Sequence, residues 1–200
     1  EFFTLPIENA PGWYRYHPLF RQYLVTELKR ILPRAEIAAL HLHASFWFDG
    51  QGFLEKAIEH AFAAENTKTA VDIFLNHRRE ITSRDDWLSL QRLLLMFPRD
   101  VINKQPEMRL AEASVLLFQA QHSRVAAILD EVESSLAKSR LTKSDRNRLE
   151  GEIAARRSAA AYWAGDVAQS SLLARSAVKK LPPEWWQPRE QAKMFLSVCL

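Results

Sequence analysis

From Pro33 onward the chain is written in a single pattern: apolar residues recur three and four apart, and each such stretch closes on a short polar, glycine or proline break. That spacing gathers the apolar side chains on one face of a helix and denies a strand its alternation. The composition fits. Ala and Leu supply 52 of the 200 residues, against 24 for Val, Ile and Thr. Ala and Leu cost least in a helix, whereas β-branched residues favour strands. Apolar residues make up 48% of the chain, enough for a real core and too many for a disordered tail. The fold class expected is all-α: stacked antiparallel helical hairpins, preceded by a short N-terminal β-hairpin.

The first 31 residues supply that exception. Phe2 to Ile7 is an aromatic and β-branched run, Asn9-Ala10-Pro11-Gly12 is turn chemistry, and Trp13 to Tyr16 reads as a second strand. Pro18 suits the first turn of a helix, and Leu19, Phe20, Tyr23, Leu24, Leu28 and Ile31 follow at helical spacing. A hairpin running into a helix is how a winged-helix domain ends, though other folds do this too. Beyond it, helices are expected over 35–48, 53–64 and 67–79, the third capped by Asn66 or Thr67. Asp85 or Asp86 is expected to cap another over 87–94, with pairs over 107–120 and 123–137 and over 145–164 and 167–180. Lys138 to Ser144 is a polar break and the expected internal boundary. Trp185-Trp186 opens a last helix. Gly151 to Pro183 spans close to one tetratricopeptide period, with small residues at Ser158, Gly165, Ser170, Ala174 and Ala177, where two helices must approach.

Charge narrows the functions. The balance is +3, with no block of five like charges, so no nucleic-acid-binding tail is visible. One cysteine, Cys199, rules out an internal disulfide and suggests a reducing compartment. The opening Glu1-Phe2-Phe3 has no basic region and no Met, and reads as a piece of a longer protein. His41 and His43 point about 200° apart on a helix, and His60, His77 and His122 have no ligand-spaced neighbours, so structural histidines are expected. The pairs Arg78-Arg79, Arg156-Arg157 and Lys179-Lys180 are expected to solvate helices. Phe46, Trp47, Phe48 and Phe53 are expected between helices. Trp185 and Trp186 cannot both face inward, so one of them is a candidate for a groove or subunit contact. No nucleophile–base pair and no phosphate-cradling glycine loop occurs, so the segment is not expected to be an enzyme. His17 stands at a strand–helix junction beside unpaired backbone N–H groups. Such a corner suits an anion such as phosphate, or a histidine that caps only its own turn.

The octet Trp13-Tyr14-Arg15-Tyr16-His17-Pro18-Leu19-Phe20, followed by Leu24 and Leu28, closely resembles the end of the winged-helix domain in the large ATP-dependent LuxR-type transcriptional regulators. The resemblance continues through His43-Ala44-Ser45-Phe46-Trp47, Gly52-Phe53, the run Lys56 to Ala64, and Asp72 to His77. It resumes at Ala164-Gly165-Asp166 and Leu181-Pro182-Pro183-Glu184-Trp185. Members are signal-transducing ATPases of the STAND class. A nucleotide-binding module precedes the winged helix; a helical arm, a tetratricopeptide-like sensor and a helix-turn-helix follow.

The resemblance implies a resting ADP-bound monomer that ATP and a small-molecule inducer convert to an oligomer. His17 occupies the position that contacts the ADP β-phosphate, with Arg15 beside it. Residues 1–32 would close the winged helix, 33–138 form the arm and 139–200 begin the sensor. The segment would relay nucleotide state and inducer sensing as a lever inside a cytoplasmic regulator. Its partners would be the upstream nucleotide-binding domain, further copies of the parent protein and the inducer. ATP or ADP belongs to the parent, and the segment alone is expected to bind no nucleotide, nucleic acid or membrane. The alternative is a helical-repeat interaction scaffold with no nucleotide partner.

Overall fold

The structure, a computed structural model, describes residues 3–7 and 12–198. Among them are eleven helices and one two-stranded antiparallel sheet. In chain order these are β1 (Thr4–Pro6), β2 (Tyr14–Tyr16), α1 (Pro18–Ile31), α2 (Arg34–Gly50), α3 (Leu54–Ala63), α4 (Thr67–Ser83) and α5 (Trp87–Leu95). Then come α6 (Arg99–Lys104), α7 (Pro106–Phe118), α8 (His122–Lys138), α9 (Lys143–Trp163), α10 (Val167–Lys180) and α11 (Trp186–Val198). The expected all-α stack with its N-terminal hairpin is present. The turn expected at Asn9-Ala10-Pro11 and Cys199 lie outside the described residues. Helix α6 was not expected: its six residues sit between Pro98 and Pro106, too few to show a period. The chain divides into two compact units, Glu1–Ala70 and Val71–Leu200.

In the first unit β1 and β2 pair with Leu5 opposite Arg15, and the His17 N–H donates to the Phe3 carbonyl at 2.7 Å. Pro18 sits in the first turn of α1, where its missing N–H costs nothing. Helix α1 buries none of its residues. Helices α2 and α3 pack through small side chains. The buried Ser45 Oγ donates to the Ala57 carbonyl at 2.7 Å, and Ala57, Ile58 and Ala61 are fully buried.

In the second unit α9 contributes to two apolar cores. Leu110, Leu129, Leu136, Leu149 and their neighbours join α7, α8 and α9. Ala155, Ala159, Ala174, Ala177 and Phe195 join α9, α10 and α11. The polar break over Lys138–Ser144 is thus bridged, because Leu136 before it and Leu149 after it share one core. Ser158 and Ser170 exchange hydrogen bonds, each Oγ donating to the other's carbonyl at 2.9 Å. The backbones of α9 and α10 therefore run close together. Gly165 takes no part in that approach: nothing lies within 4 Å of its would-be Cβ, and it is a turn residue at φ +85°.

Five of the breaks share one geometry. At Gly52, Glu65, Asp85, Ala120 and Gly165 the chain takes a positive φ, and the next N–H reaches back to a carbonyl five residues earlier, as in Asp166 to Ala161 at 2.9 Å and Gln121 to Leu116 at 2.9 Å. This is the Schellman ending, which satisfies carbonyls the helix would leave unpaired. Three of these five positions carry a side chain. Ala120→Gly is therefore expected to raise stability by up to about 1 kcal/mol, because the left-handed conformation costs an L-residue that order of energy. Urea unfolding should show a higher midpoint at unchanged slope.

Candidate functional site

The His17 corner follows from the local sequence. Alternation along β2 puts Arg15 on the face opposite Tyr14 and Tyr16. The chain then turns into α1 with His17 as its N-cap, and the imidazole makes no capping hydrogen bond. His17 is exposed and borders a shallow cavity with Phe3, Leu19 and Phe20. Phe20 is held from two sides, stacked on Phe3 at 4.5 Å and edge-on to Tyr16 at 5.5 Å. The N–H groups of Leu19 and Phe20 lie in the first helical turn, where no intrahelical carbonyl can reach them. An imidazole, two backbone donors and the positive end of a helix dipole make a corner that fits a phosphate.

The neighbouring aromatics differ from expectation. Trp47 and Phe53 are about half exposed, as is Phe46. Trp13 meets Trp47 at 5.9 Å and Phe53 at 5.2 Å, so the rings pack on one another at the surface of the unit. A short hairpin of two helices has too little interior for four large rings. The histidine reading also changes. His41 on α2 and His60 on α3 approach to 2.9 Å between their Nδ1 atoms, a meeting that sequence spacing cannot reveal. Only one of them can donate in that bond, so the other must be neutral. Burial, then the adjacent His41, pushes the His60 imidazole below its ordinary range; Lys56 and Arg21 act in the same sense and Glu59 opposes them.

Protonation therefore opposes the folded form, and this contribution is present above roughly pH 6.5 and lost as the pH falls below it. Acidification from pH 7.5 to 5.5 is expected to lower the amide protection factors, rates taken relative to intrinsic exchange at each pH, at the α2–α3 contact around Ala57 and Ala61. His60→Gln should abolish that dependence. No group of three or more metal-type side chains occurs among the described residues.

In the second unit the expectation for basic pairs is corrected. Arg78 and Arg156 do not solvate helices; they are 2% and 3% exposed. Arg78 grips Glu152 with two bonds, Nη1 to Oε2 at 2.8 Å and Nη2 to Oε1 at 3.0 Å. Arg148 Nη1 adds a third at 3.0 Å and turns its other arm to Glu107 at 3.1 Å. Arg156 donates from Nε to the Leu110 carbonyl and Ser114 Oγ and from Nη1 to the Glu152 carbonyl. Its Nη2 stands 3.3 Å from Glu152 Oε2. Burial lowers the Arg156 guanidinium to about 10, which leaves it charged at neutral pH. A legible signal did exist. Arg148, Glu152 and Arg156 recur every four residues, a single stripe on α9, and the last two sit among Ile153, Ala155 and Ala159 on a face that must be buried.

Trp185 covers this cluster, with the Arg78 and Arg148 guanidiniums 4.8 and 5.1 Å from its ring. Trp186 is about half exposed. Neither lines the nearby cavity of about 180 Å³, which is bounded by Trp87, Ser114, Phe118, Arg156, Trp163 and Gln191 among others.

A short antiparallel sheet feeds a proline-started helix, an arrangement compatible with the closing portion of a winged-helix domain, and further helices follow it. The comparison with known families agrees. Residues 1–36 match the family model described as the MalT winged helix domain, a span that covers β1, β2, α1 and the start of α2. This supports reading the chain as a segment of a MalT-like regulator. No solved structure matches the chain. No helix among the described residues is long and apolar enough to cross a membrane.

Proposed function

We propose that the chain is an internal regulatory segment of an ATP-dependent, LuxR-type transcriptional activator of the STAND class. It couples nucleotide state and inducer sensing to self-association in the cytoplasm. The match of residues 1–36 to the MalT winged helix domain carries the reading. Two features of the first unit favour it. Helix α1 leaves Leu19, Tyr23 and Ile31 more than half exposed, an apolar face that the rest of a winged helix would cover. His17 stands open at the head of α1, two residues after Arg15.

In this role His17 and the N–H groups of Leu19 and Phe20 hold the terminal phosphate of an ADP bound by the upstream module, keeping the winged helix closed. The chain itself is not catalytic; the nucleotide belongs to the parent protein. Residues 33–138 serve as the arm, and residues 139–200 begin the tetratricopeptide-like sensor. In the intact regulator, His17→Ala should weaken ADP binding about tenfold, the loss of one charge-assisted hydrogen bond. It should also raise transcription without inducer. Equilibrium dialysis with ADP measures the first effect, and an unchanged affinity removes His17 from the mechanism.

A further inference from the structure

The geometry points to the cavity among Trp87, Phe118, Trp163 and Arg156 as a binding site for a small aromatic carboxylate. At about 180 Å³ the cavity lies below the roughly 300 Å³ at which drug-sized pockets begin, so its occupant is small. Its interior is cationic. Arg156 is nearly sealed from solvent, and its bonds engage Nε and one direction from each Nη, leaving donor capacity on both terminal nitrogens. The Ser114 hydroxyl beside it is committed to the Leu110 carbonyl at 3.1 Å.

One carboxylate is shared three ways around that guanidinium. Glu152 serves Arg78, Arg148 and Arg156 together, while Glu107 and Asp145 reach only Arg148 in this cluster. Arg156 therefore has no carboxylate of its own, and one at the cavity floor would take up its free donors. The walls select a flat body. Trp87 and Phe118 lie 6.2 Å apart at a 30° tilt, and Phe118 and Trp163 leave more than half their surface in water. An aromatic ring laid against Phe118 and Trp163 covers that surface and gains ring–ring contact.

The rim fixes the direction. Asp85 is exposed there and accepts from Gln187 Nε2 at 3.1 Å, so the mouth disfavours an anion and accepts a hydroxyl. The ligand enters carboxylate first. The site stands apart from the nucleotide reading and needs no nucleotide for its test.

The test is calorimetric titration of the 200-residue chain with 4-hydroxybenzoate, in parallel with its neutral amide, 4-hydroxybenzamide. Saturable one-to-one binding is expected, about tenfold weaker for the amide, as the loss of one charged hydrogen-bonded contact implies. Trp163→Ala and Phe118→Ala remove exposed side chains and should leave the fold intact by circular dichroism while weakening the acid about tenfold or more. Absence of saturable binding overturns the assignment. So does equal affinity for acid and amide, which would make the cavity charge-blind, or undiminished binding by Trp163→Ala, which would put the ligand elsewhere.

Discussion

Replacing Glu152 by Ala is expected to cost the second unit about 3–5 kcal/mol, the usual consequence of stripping the partner from a buried charge. The residue is fully buried and accepts bonds from Arg78 and Arg148, with Arg156 Nη2 at 3.3 Å. Its removal leaves Arg78 and Arg156 without a carboxylate in the cluster, since Glu107 and Asp145 there reach only Arg148. Chemical denaturation followed at Trp185 should show the loss directly, and Glu152→Asp should recover part of it. Acid gives the same information without mutation. Burial alone would raise the Glu152 carboxyl, but Arg78, Arg156 and Arg148 outweigh it and hold the group at about 2. Its unfolded counterpart protonates near roughly pH 4.5, so the unfolded chain binds the proton first as the pH falls. The stability that Glu152 contributes is therefore complete above about pH 4.5 and lost toward pH 2. Glu152→Gln should flatten that part of the acid-unfolding curve. A variant as stable as the parent and equally acid-sensitive would show that the cluster contributes nothing.

Gly151→Val is the second large effect, expected near the upper end of the roughly 1–3 kcal/mol that overpacking costs. A Cβ on Gly151 would lie 2.9 Å from Leu181 Cγ, 3.1 Å from the Leu181 backbone nitrogen and 3.1 Å from Lys180 Cβ. The side chain of Leu181 can rotate; the backbone at the end of α10 cannot retreat without opening the α9–α10 core. Gly151→Ala sets a milder version of the clash against the gain of about 1 kcal/mol in helix propensity. Leu181→Ala in the Gly151→Val background should restore part of the loss, although Leu181→Ala alone is destabilising. Thermal melting of the four chains measures that coupling, and strictly additive losses would deny the contact.

The helices were legible because their period and their stops are local. Asp86 was a visible cap, and its Oδ1 accepts from the Ser89 N–H at 3.0 Å. The Pro18 helix start and the hairpin before it were equally plain, and they carry the residues that match the MalT domain. Contacts between distant segments were not legible. Arg78 read as a solvated base because its partner lies 74 residues away, and His41 met His60 only through the α2–α3 turn. The cavity was hidden for the same reason: Trp87, Phe118 and Trp163 come from three helices, and each reads alone as a helix-end aromatic. The turns at Glu65, Asp85 and Ala120 were missed as left-handed positions because none is glycine.

The span between Arg78 and Glu152 also has a kinetic consequence. Closing so long a loop is slow beside the pairing of α7 with α8 or α9 with α10, whose partners are joined by a few residues. The ions must also shed water to meet, so the pair should form after the rate-limiting step. Truncating Glu152 would then hasten unfolding and leave the refolding limb of the chevron nearly where it was. The arginine–carboxylate knot would set how long the native state lasts, not how quickly it is reached.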